Sequence, residues 1–371
     1  MVKMKNDLDI DFNGVIYNSK KDFCELLEEN YINNNLLDAI FKTVAAIDGD
    51  YSFYISDGEN YALVRDPVGV KPLYYTDNNY SFSRLSSDCK TLKPGYIIFN
   101  GKQMELPKKT FNLNESLEDL IKQSVYKRIK DLDDIAIIFS GGVDSSLLAL
   151  LLKDYPVTLY AVGRENSKDL EYAEKVADYL DLPLKTRIVT EDIVSDSLLN
   201  VVGAIGENNL MKIGVGMTIY LACEMIAEDG LGVALSGQGA DELFAGYNRY
   251  LKTFEEGTLQ EELEYDIANM YHVNLERDYA VSRLNNVSIR LPYLDETLID
   301  YALNIPIDEK IYSNEDKLRK RVLRNLALEL GLSEEYAMRP KKAAQYGTGI
   351  DKLLRRKVLK KFDLDSYLSN F

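Results

Sequence analysis

A chain of 371 residues, of which 46% are hydrophobic, is long enough to bury a sizeable core and predicts a globular protein of two domains. The formal net charge of −16 predicts a surface that repels phosphate backbones and anionic lipids, so neither nucleic-acid nor membrane partners are expected. No stretch approaches the roughly 20 consecutive apolar residues of a membrane span, and the start "MVKMKNDLDI" lacks the apolar core of a signal peptide, which favours a cytoplasmic location.

The first 106 residues have the pattern of an antiparallel β domain. Tyr, Phe and Val occur in short runs broken by Asp-Gly, Asn-Asn and Pro in "GDYSFYISDGENYALVRDPVGVKPLYYTDNNYSFSR". Two more short strands are predicted on either side of Asn100 and Gly101. The polar segment 107–116, "PKKTFNLNES", has the composition of a linker, so we expect a second domain over residues 117–371.

The rare residues limit the chemistry. Cys24, Cys89 and Cys223 are far apart and form no Cys-x-x-Cys pair, which indicates neither a zinc site nor a disulfide scaffold and fits a reducing compartment. The single histidine, His272, excludes a metal site built on several imidazoles.

From about residue 134 to 250, β-branched apolar runs alternate with helical patterns. Strands are predicted at "DIAIIFS", "VTLYAVG", "LKTRIVT" and "LGVALSG". Helices are predicted at "SSLLALLLKDY", after Asn166 and Ser167, over 191–205 and over 215–228. Strands separated by helices of this length imply a parallel sheet with helices on both faces, and ligands bind such sheets at the carboxyl ends of the strands. Beyond residue 260 the chain is predicted to be mostly helical.

The loop "SGGVDSS", Ser140 to Ser146, follows the first of these strands and precedes a helix. Unpaired amides and the positive end of the helix dipole make such a loop an anion site. Gly141 and Gly142 let the backbone approach an oxyanion, and Ser140, Ser145 and Ser146 add hydroxyl donors. Asp144 would repel that anion unless a cation lay between them, which suggests Mg²⁺ bridging a polyphosphate. The alternative is an ordinary capped helix after a tight turn.

A second strand-to-helix loop occurs in "LSGQGADELFAGYNRY" at residues 235–250. Asp241 is placed to be a second Mg²⁺ ligand opposite Asp144, and Ser236 and Gly237 present backbone to a nucleotide. Glu242 could cap the helix or ligate the metal. The alternative is again a plain turn.

These strings resemble known motifs. "SGGVDSS" resembles the pyrophosphate-binding loop of the N-type ATP pyrophosphatases, and "SGQGADELFAGY" resembles the "SGEGADELFGGY" motif of the asparagine synthetase family. "VSIRLPYLDETLIDYALNIP" at 287–306 and "RPKKAAQYGTG" at 339–349 resemble two later segments of that family. The resemblance covers residues 115 to 355 and implies an α/β protein whose parallel-sheet domain is of the adenine-nucleotide α-hydrolase-like (PP-loop) type.

The first domain resembles the same family's glutaminase module, an antiparallel-β N-terminal nucleophile hydrolase, in "NGVIYN", "IDGDYSFYISD", "RDPVGVKPLYY" and "LKPGYIIFNG". That module works through an N-terminal cysteine. This chain begins Met-Val, its nearest cysteine is Cys24, and Val15 stands where the module has an acid. We therefore expect a shortened domain over residues 1–106 that does not hydrolyse glutamine.

The resemblance also implies roles for individual residues. ATP would bind with its pyrophosphate on Ser140–Ser146, the metal on Asp144 and Asp241, and the adenine near Ile138, Val162, Ser236 and Gly237. Lys341 would stabilise the departing pyrophosphate, a job suited to a flexible ammonium.

The acceptor half departs from the family pattern. Gln238 replaces the acid of "SGEG", and Ser288 replaces a glutamate before Arg290. Gln238 could still hydrogen-bond a substrate or orient ammonia. Arg277, Asp278 and Arg290 are weaker candidates for binding the acceptor, and otherwise belong to salt bridges on a helical surface.

The leading hypothesis is an AMP-forming, ATP-dependent ligase of amino-acid biosynthesis that adenylates a carboxylate, aspartate by resemblance, and amidates it with ammonia. Its cofactors would be ATP and Mg²⁺, and a homodimer or a separate glutaminase partner is expected. One alternative is a relative with a different acceptor, of the β-lactam-forming or tRNA-modifying type. Another is a catalytically silent partner subunit that binds ATP.

Overall fold

The computed structural model describes residues 8–84, 86, 88–340, 347–355 and 364, together with the backbone of a short strand, Val2–Lys3. Contacts divide the chain into two compact units. The first comprises Met1–Asn112 and Ala268–Glu276, and the second comprises Leu113–Ile267 and Arg277–Phe371.

The first unit is built on an antiparallel sheet of six strands in the order β1-β2-β3-β4-β8-β9, which confirms the antiparallel domain predicted from the sequence. Its strands are β1 (Val2–Lys3), β2 (Asp9–Ile16), β3 (Gly49–Ser56), β4 (Tyr61–Arg65), β8 (Tyr96–Phe99) and β9 (Lys102–Glu105). A smaller antiparallel sheet joins β5 (Tyr74–Tyr75) to β6 (Tyr80–Ser81) and β7 (Lys90–Thr91). Two helices, α1 (Phe23–Tyr31) and α2 (Leu36–Ala46), bury Phe23, Leu27, Ile40 and Val44 in one core with strand residues such as Phe53 and Ile55.

The segment "RDPVGVKPLYY" forms a caged turn in this unit. Asp66 is buried and accepts hydrogen bonds from the amides of Val68, Gly69, Val70 and Lys71. Burial and the nearby Asp50 raise the pKa of Asp66 to about 6, even though the amides favour its ionised form. These four hydrogen bonds to the Asp66 carboxylate hold the turn in its conformation.

The second unit is built on a parallel sheet of five strands in the order β12-β11-β10-β13-β14. These strands are β10 (Ile135–Ile138), β11 (Val157–Gly163), β12 (Leu184–Ile188), β13 (Val233–Leu235) and β14 (Ser288–Arg290). The first four lie where the sequence predicts strands. The chain moves outward from β10 to β12 on one side and from β13 to β14 on the other, so the switch of direction lies between β10 and β13.

The helices of this unit lie between and after the strands. They are α3 (Leu117–Lys127), α4 (Val143–Leu151), α5 (Lys168–Leu180), α6 (Glu191–Ile205), α7 (Leu210–Glu228), α8 (Ala240–Leu243), α9 (Tyr250–Glu256), α10 (Leu259–Met270), α11 (Glu276–Arg283), α12 (Glu296–Leu303), α13 (Ile307–Lys310), α14 (Arg321–Glu329) and α15 (Glu334–Ala337), followed by a short helix at Ile350–Leu353. A 3-10 turn (Pro292–Leu294) precedes α12. Between α10 and α11 lies a π-helical turn (Tyr271–Leu275), which contains His272 and belongs to the first unit.

Alternate residues of β11 face opposite sides of the sheet. Leu159 and Ala161 pack into one core cluster with α3, α4, α5, α12 and α14, while α7 packs against β10, β11 and β12. Both faces are therefore covered, as the alternating pattern predicts.

Helix α7 differs from its prediction in two respects. It begins at Leu210, five residues before the predicted start, because the Asn209 side chain accepts hydrogen bonds from the amides of Met211 and Lys212. Its 19 residues are long and apolar enough to cross a membrane by length and composition, although Lys212 and Glu224 interrupt the apolar run. Because 61% of the apolar window is buried inside the protein, α7 is a core helix of the sheet.

Candidate functional site

The first loop, Ser140–Ser146, lies at the carboxyl end of the central strand β10 and enters α4. Gly141 has φ +64°, and a Cβ on it would lie 2.8 Å from the backbone of Tyr172 and Ala173, so only glycine fits there. Gly142 is the N-cap residue of α4 and supplies no side-chain cap. The first-turn amides of α4 thus keep the character of an anion site.

The serines of this loop are arranged around its backbone. Ser140 Oγ accepts from the Gly142 amide at 3.3 Å and lies 3.4 Å from Ser145 Oγ. Ser146 Oγ is buried without a hydrogen-bond partner among the described residues. A buried hydroxyl in that state has unused hydrogen-bonding capacity beside the loop.

The second loop, Ser236–Asp241, follows β13, which pairs in parallel with β10. The two loops therefore leave the same edge of the sheet at the switch point. They touch, because a Cβ on Gly237 would lie 3.0 Å from Asp144 Cβ. Gly239, with φ +96°, packs against Leu294. Gln238 is half-buried between these two glycines.

A lysine absent from the sequence predictions joins the two loops. Lys320 Nζ lies 2.7 Å from Asp144 Oδ1, 2.6 Å from Asp144 Oδ2 and 2.7 Å from Asp241 Oδ1. Lys320 is fully buried. Gly246 makes room for this contact, because a Cβ there would lie 1.9 Å from Asp241 Oδ1 and 2.1 Å from Lys320 Cε.

The backbone that carries Lys320 is strained. Arg319 and Lys320 both have left-handed backbones, with φ of +55° and +49°, and each such residue costs about 1–3 kcal/mol. Asp316 holds the turn by accepting from the amides of Leu318 and Arg319 and from the guanidinium of Arg321. Arg324 donates to the carbonyls of Leu318 and Arg319. Together these hydrogen bonds fix the conformation of the turn, so the Lys320 ammonium points in one direction.

Asp316 is ionised over almost the whole pH range. Burial by itself would raise its pKa, but hydrogen bonds from Arg321 and from the amides of Tyr312, Arg319 and Leu318 outweigh it and lower the pKa to about 2.

The late segment, residues 339–349, begins beside the first loop and returns beside α5 at Gly347. Arg339 donates to Ser140 O at 3.2 Å and to Asp169 Oδ1 at 2.7 Å, and stacks over the Tyr172 ring at 4.0 Å. At its other end, a Cβ on Gly347 would lie 1.8 Å from Asp169 Oδ2. Lys341, predicted to act on pyrophosphate, lies outside the described residues.

The predicted adenine contacts are on neighbouring strands. Ile138 is the last residue of β10 and Val162 lies near the end of β11, two strands that pair in parallel. Val162 is buried and Ile138 is half-buried.

Glu242, named as a possible cap or ligand, has a partner away from the metal position. Its Oε1 accepts from Tyr247 OH at 2.7 Å, and burial raises the pKa of its carboxyl.

The three acceptor candidates also have protein partners. Arg290 forms a bidentate ion pair with Asp131, with N···O distances of 2.5 and 2.7 Å, and donates a hydrogen bond to Arg128 O. Arg277 and Asp278 are buried and pair with each other at 2.7 Å.

The donor set can be compared with what Mg²⁺ requires. Asp144 and Asp241 supply carboxylate oxygens close to each other, and Mg²⁺ is commonly held by one or two carboxylates plus water and substrate phosphates. Within the described ranges, no group of three or more His, Cys, Asp or Glu residues could form an all-protein cage. The residues therefore fit a metal that arrives with a polyphosphate.

Several known proteins are similar to this chain. A protein named "Putative asparagine synthetase [glutamine-hydrolyzing] 1" from Methanocaldococcus jannaschii is 38% identical over 431 aligned positions, which cover 94% of this chain and 79% of that protein. The glutamine-hydrolysing asparagine synthetases of Mus musculus and Homo sapiens are 27% and 26% identical, with 91% of this chain and 71% of each relative covered. A solved NH3-dependent NAD synthetase from Campylobacter jejuni aligns to 69% of this chain, and to 93% of its own, with a TM-score of 0.33 and 15% identity.

The family models match most of the chain. The asparagine synthase model matches residues 116–257 and 253–366, and the glutamine amidotransferase domain model matches residues 1–94. These matches cover the parallel-sheet unit, with both of its loops, and most of the antiparallel unit. The chain therefore belongs to the asparagine synthase family of ATP-dependent, amidotransferase-like ligases.

Proposed function

We propose that this protein is an AMP-forming carbon–nitrogen ligase that adenylates a carboxylate with ATP and then amidates it with ammonia. The observation that carries the proposal is the meeting of the two strand-to-helix loops, which brings Asp144 and Asp241 onto a single ammonium at the switch point of the sheet. An anion-binding loop beside a shared carboxylate pair suits a polyphosphate and its metal.

The chain's own groups have distinct tasks in this reaction. Loop amides and the hydroxyls of Ser140, Ser145 and Ser146 bind the pyrophosphate part of ATP. Ile138, Val162, Ser236 and Gly237 contact the nucleoside. Asp144 and Asp241 would hold Mg²⁺, which would supply positive charge against the phosphates. Lys341 acts on the leaving pyrophosphate.

The chemistry divides into two displacements. A carboxylate oxygen attacks the α-phosphorus, the bond from that phosphorus to the bridging oxygen breaks, and pyrophosphate leaves with the electron pair. Ammonia then attacks the acyl carbon, a proton is lost from nitrogen, and AMP leaves. Holding the reactants in line and stabilising the charge on pyrophosphate account for the catalytic effect.

Aspartate is the first acceptor to test, because the relatives named above are asparagine synthetases. Ammonia is proposed in place of the chain's own glutaminase, because Val15 occupies the position of an acid and Cys24 lies on α1. Burial, followed by nearby Asp22 and Glu28, raises the pKa of the Cys24 thiol, which opposes nucleophilic use. We also propose a cytoplasmic enzyme that works as a homodimer or with a separate glutaminase.

The test is pyrophosphate exchange into ATP, together with AMP formation, in the presence of Mg²⁺, aspartate and ammonium. Wild-type protein should catalyse aspartate-dependent exchange, and Asp144→Asn should abolish it. Asp154→Asn, the same change at an exposed site on the chain segment after α4, is the matched control and should behave as wild type. Exchange that survives in Asp144→Asn would reject the assigned site.

A second candidate function is a silent subunit that binds ATP without adenylating anything. The observation that favours it is Gln238, a neutral amide that cannot act as a base, placed between the two glycines of the second loop. A panel of carboxylates separates the candidates. ATP binding by wild type without exchange on any acceptor, together with exchange gained in Gln238→Glu, would favour the silent subunit.

A further inference from the structure

We infer that Lys320 is a resident counter-charge that makes the Asp144–Asp241 pair accept a divalent cation only together with a nucleotide. This inference rests on the proposed function for the identity of the nucleotide. Its evidence is the geometry of Lys320, whose Nζ lies within 2.7 Å of oxygens from both carboxylates.

The contact is built into the fold. Asp144 and Asp241 come from loops after different strands, and Lys320 comes from a third segment ahead of α14. Three features serve the placement of this one ammonium: the consecutive left-handed residues Arg319 and Lys320, the hydrogen bonds of Asp316, and the open space at Gly246. A surface ion pair between flexible side chains would need none of them.

The charges decide what this arrangement does. Two carboxylates alone would carry −2 and attract a free divalent cation, but with Lys320 the set carries −1. An entering cation would also meet an ammonium ion held in contact with both of its ligands. In a buried site this repulsion is weakly screened. The polyphosphate of ATP supplies the missing negative charge, so metal and nucleotide bind as a unit.

A consequence follows for the resting enzyme. Lys320 places a positive charge against both carboxylates when neither metal nor nucleotide is bound, which keeps the two loops together. Lys320 is in this sense a positioning residue for the metal, and it needs no contact with the reacting atoms.

The test uses Mn²⁺ as a spectroscopic probe, with the free ion measured by electron paramagnetic resonance. Wild-type protein should bind Mn²⁺ at this site weakly alone and at least about tenfold more tightly with ATP. Lys320→Met should bind Mn²⁺ alone at least about tenfold more tightly than wild type, with a smaller further gain from ATP. Lys317→Met removes the same charge at an exposed position three residues earlier and should match wild type.

Because the chain carries many other carboxylates that could bind Mn²⁺, the gain in Mn²⁺ affinity must be assigned to Asp144 and Asp241. The double variant Lys320→Met with Asp241→Asn should lose the added Mn²⁺ affinity. Thermal unfolding is a second readout: Lys320→Met should have a lower Tm without metal and a larger rise in Tm with Mn²⁺ than wild type. An unchanged Mn²⁺ affinity in Lys320→Met, or tight Mn²⁺ binding by wild type without ATP, would overturn the inference.

Failure of the proposed function would look different. Absence of pyrophosphate exchange with normal coupling of Mn²⁺ and ATP would reject the ligase and leave the role of Lys320 intact. If Lys320→Met does not fold, Lys320→Gln repeats the measurement with a polar side chain that removes the charge, and an unchanged Mn²⁺ affinity in that variant would overturn the inference.

Discussion

Gly246 packs against Lys320 so closely that a Cβ on the glycine would lie 2.1 Å from Lys320 Cε. The backbone of Gly246 is also engaged, since its amide donates to Asp241 O at 2.7 Å and its carbonyl accepts from Arg319 Nε at 2.9 Å. The glycine thus lies against both the Asp241 carboxylate and the last methylene of the Lys320 side chain.

Gly246→Ala should displace Lys320 from Asp241. We expect about 1–3 kcal/mol of destabilisation from the added methyl group, and loss of most pyrophosphate exchange. Denaturant unfolding and the exchange assay measure the two effects. Gly232→Ala is the matched control, because the nearest atom to its new Cβ is 3.9 Å away. Equal behaviour of the two variants would contradict the packing argument.

Asp316 should make folding stability depend on acid pH. Its pKa is about 2 in the folded protein and 3.8 as a free side chain. A lowered folded pKa adds stability that is fully present above the unfolded value and is lost as the pH falls through the folded value. After allowance for screening we expect about 1–2 kcal/mol, lost between about pH 4 and pH 2.

The measurement is urea unfolding of wild type and Asp316→Asn as a function of pH. The difference between the two free energies of unfolding should be constant above pH 4 and shrink toward pH 2. A difference that grew on acidification would show that folding raises the pKa of Asp316, contrary to the prediction.

Arg339 should couple the late segment to the first loop. Replacing it with Met removes the bonds to Ser140 O and Asp169 as well as the stacking on Tyr172. We expect about a tenfold fall in kcat/KM for ATP in the exchange assay, since loop placement is lost. Arg355→Met, which removes an exposed pair with Asp351, is the matched control. Similar kinetics for both variants would argue against coupling.

Arg290 should matter for stability and not for the acceptor. Because its guanidinium is committed to the half-exposed Asp131 and to Arg128 O, Arg290→Met should lower the free energy of unfolding by about 1–2 kcal/mol and leave the KM for the acceptor unchanged. A double-mutant cycle with Asp131→Asn measures the pair. A large rise in the acceptor KM, with stability unaffected, would restore Arg290 as a substrate ligand.

The parts of the molecule that the sequence predicts well depend on local patterning. The strand, the glycine turn and the helix around Ser140–Ser146 are adjacent in the chain, and the same holds around Asp241. Hydrophobic periodicity and turn residues therefore predict both loops. The parallel arrangement of the strands then follows, because a helix connects each strand to the next.

The parts that escaped prediction depend on distant segments. Lys320 lies 176 positions from Asp144 in sequence, and its direction depends on a left-handed turn at Arg319 and Lys320, where no glycine marks the conformation. Likewise, Arg290 ends a strand at the sheet edge where ligands bind, yet Asp131 takes its guanidinium, and this pairing is visible only in three dimensions.

The distribution of charges over three chain segments has a consequence during synthesis. Asp144 and Asp241 leave the ribosome before Lys320, so a nascent chain that ends ahead of α14 holds two facing carboxylates without their counter-ion. Such a chain attracts a free divalent cation to the two carboxylates until Lys320, in the last third of the second unit, has been synthesised. The two loops of the parallel-sheet unit therefore gain their own counter-charge only late in translation, when Lys320 has been synthesised.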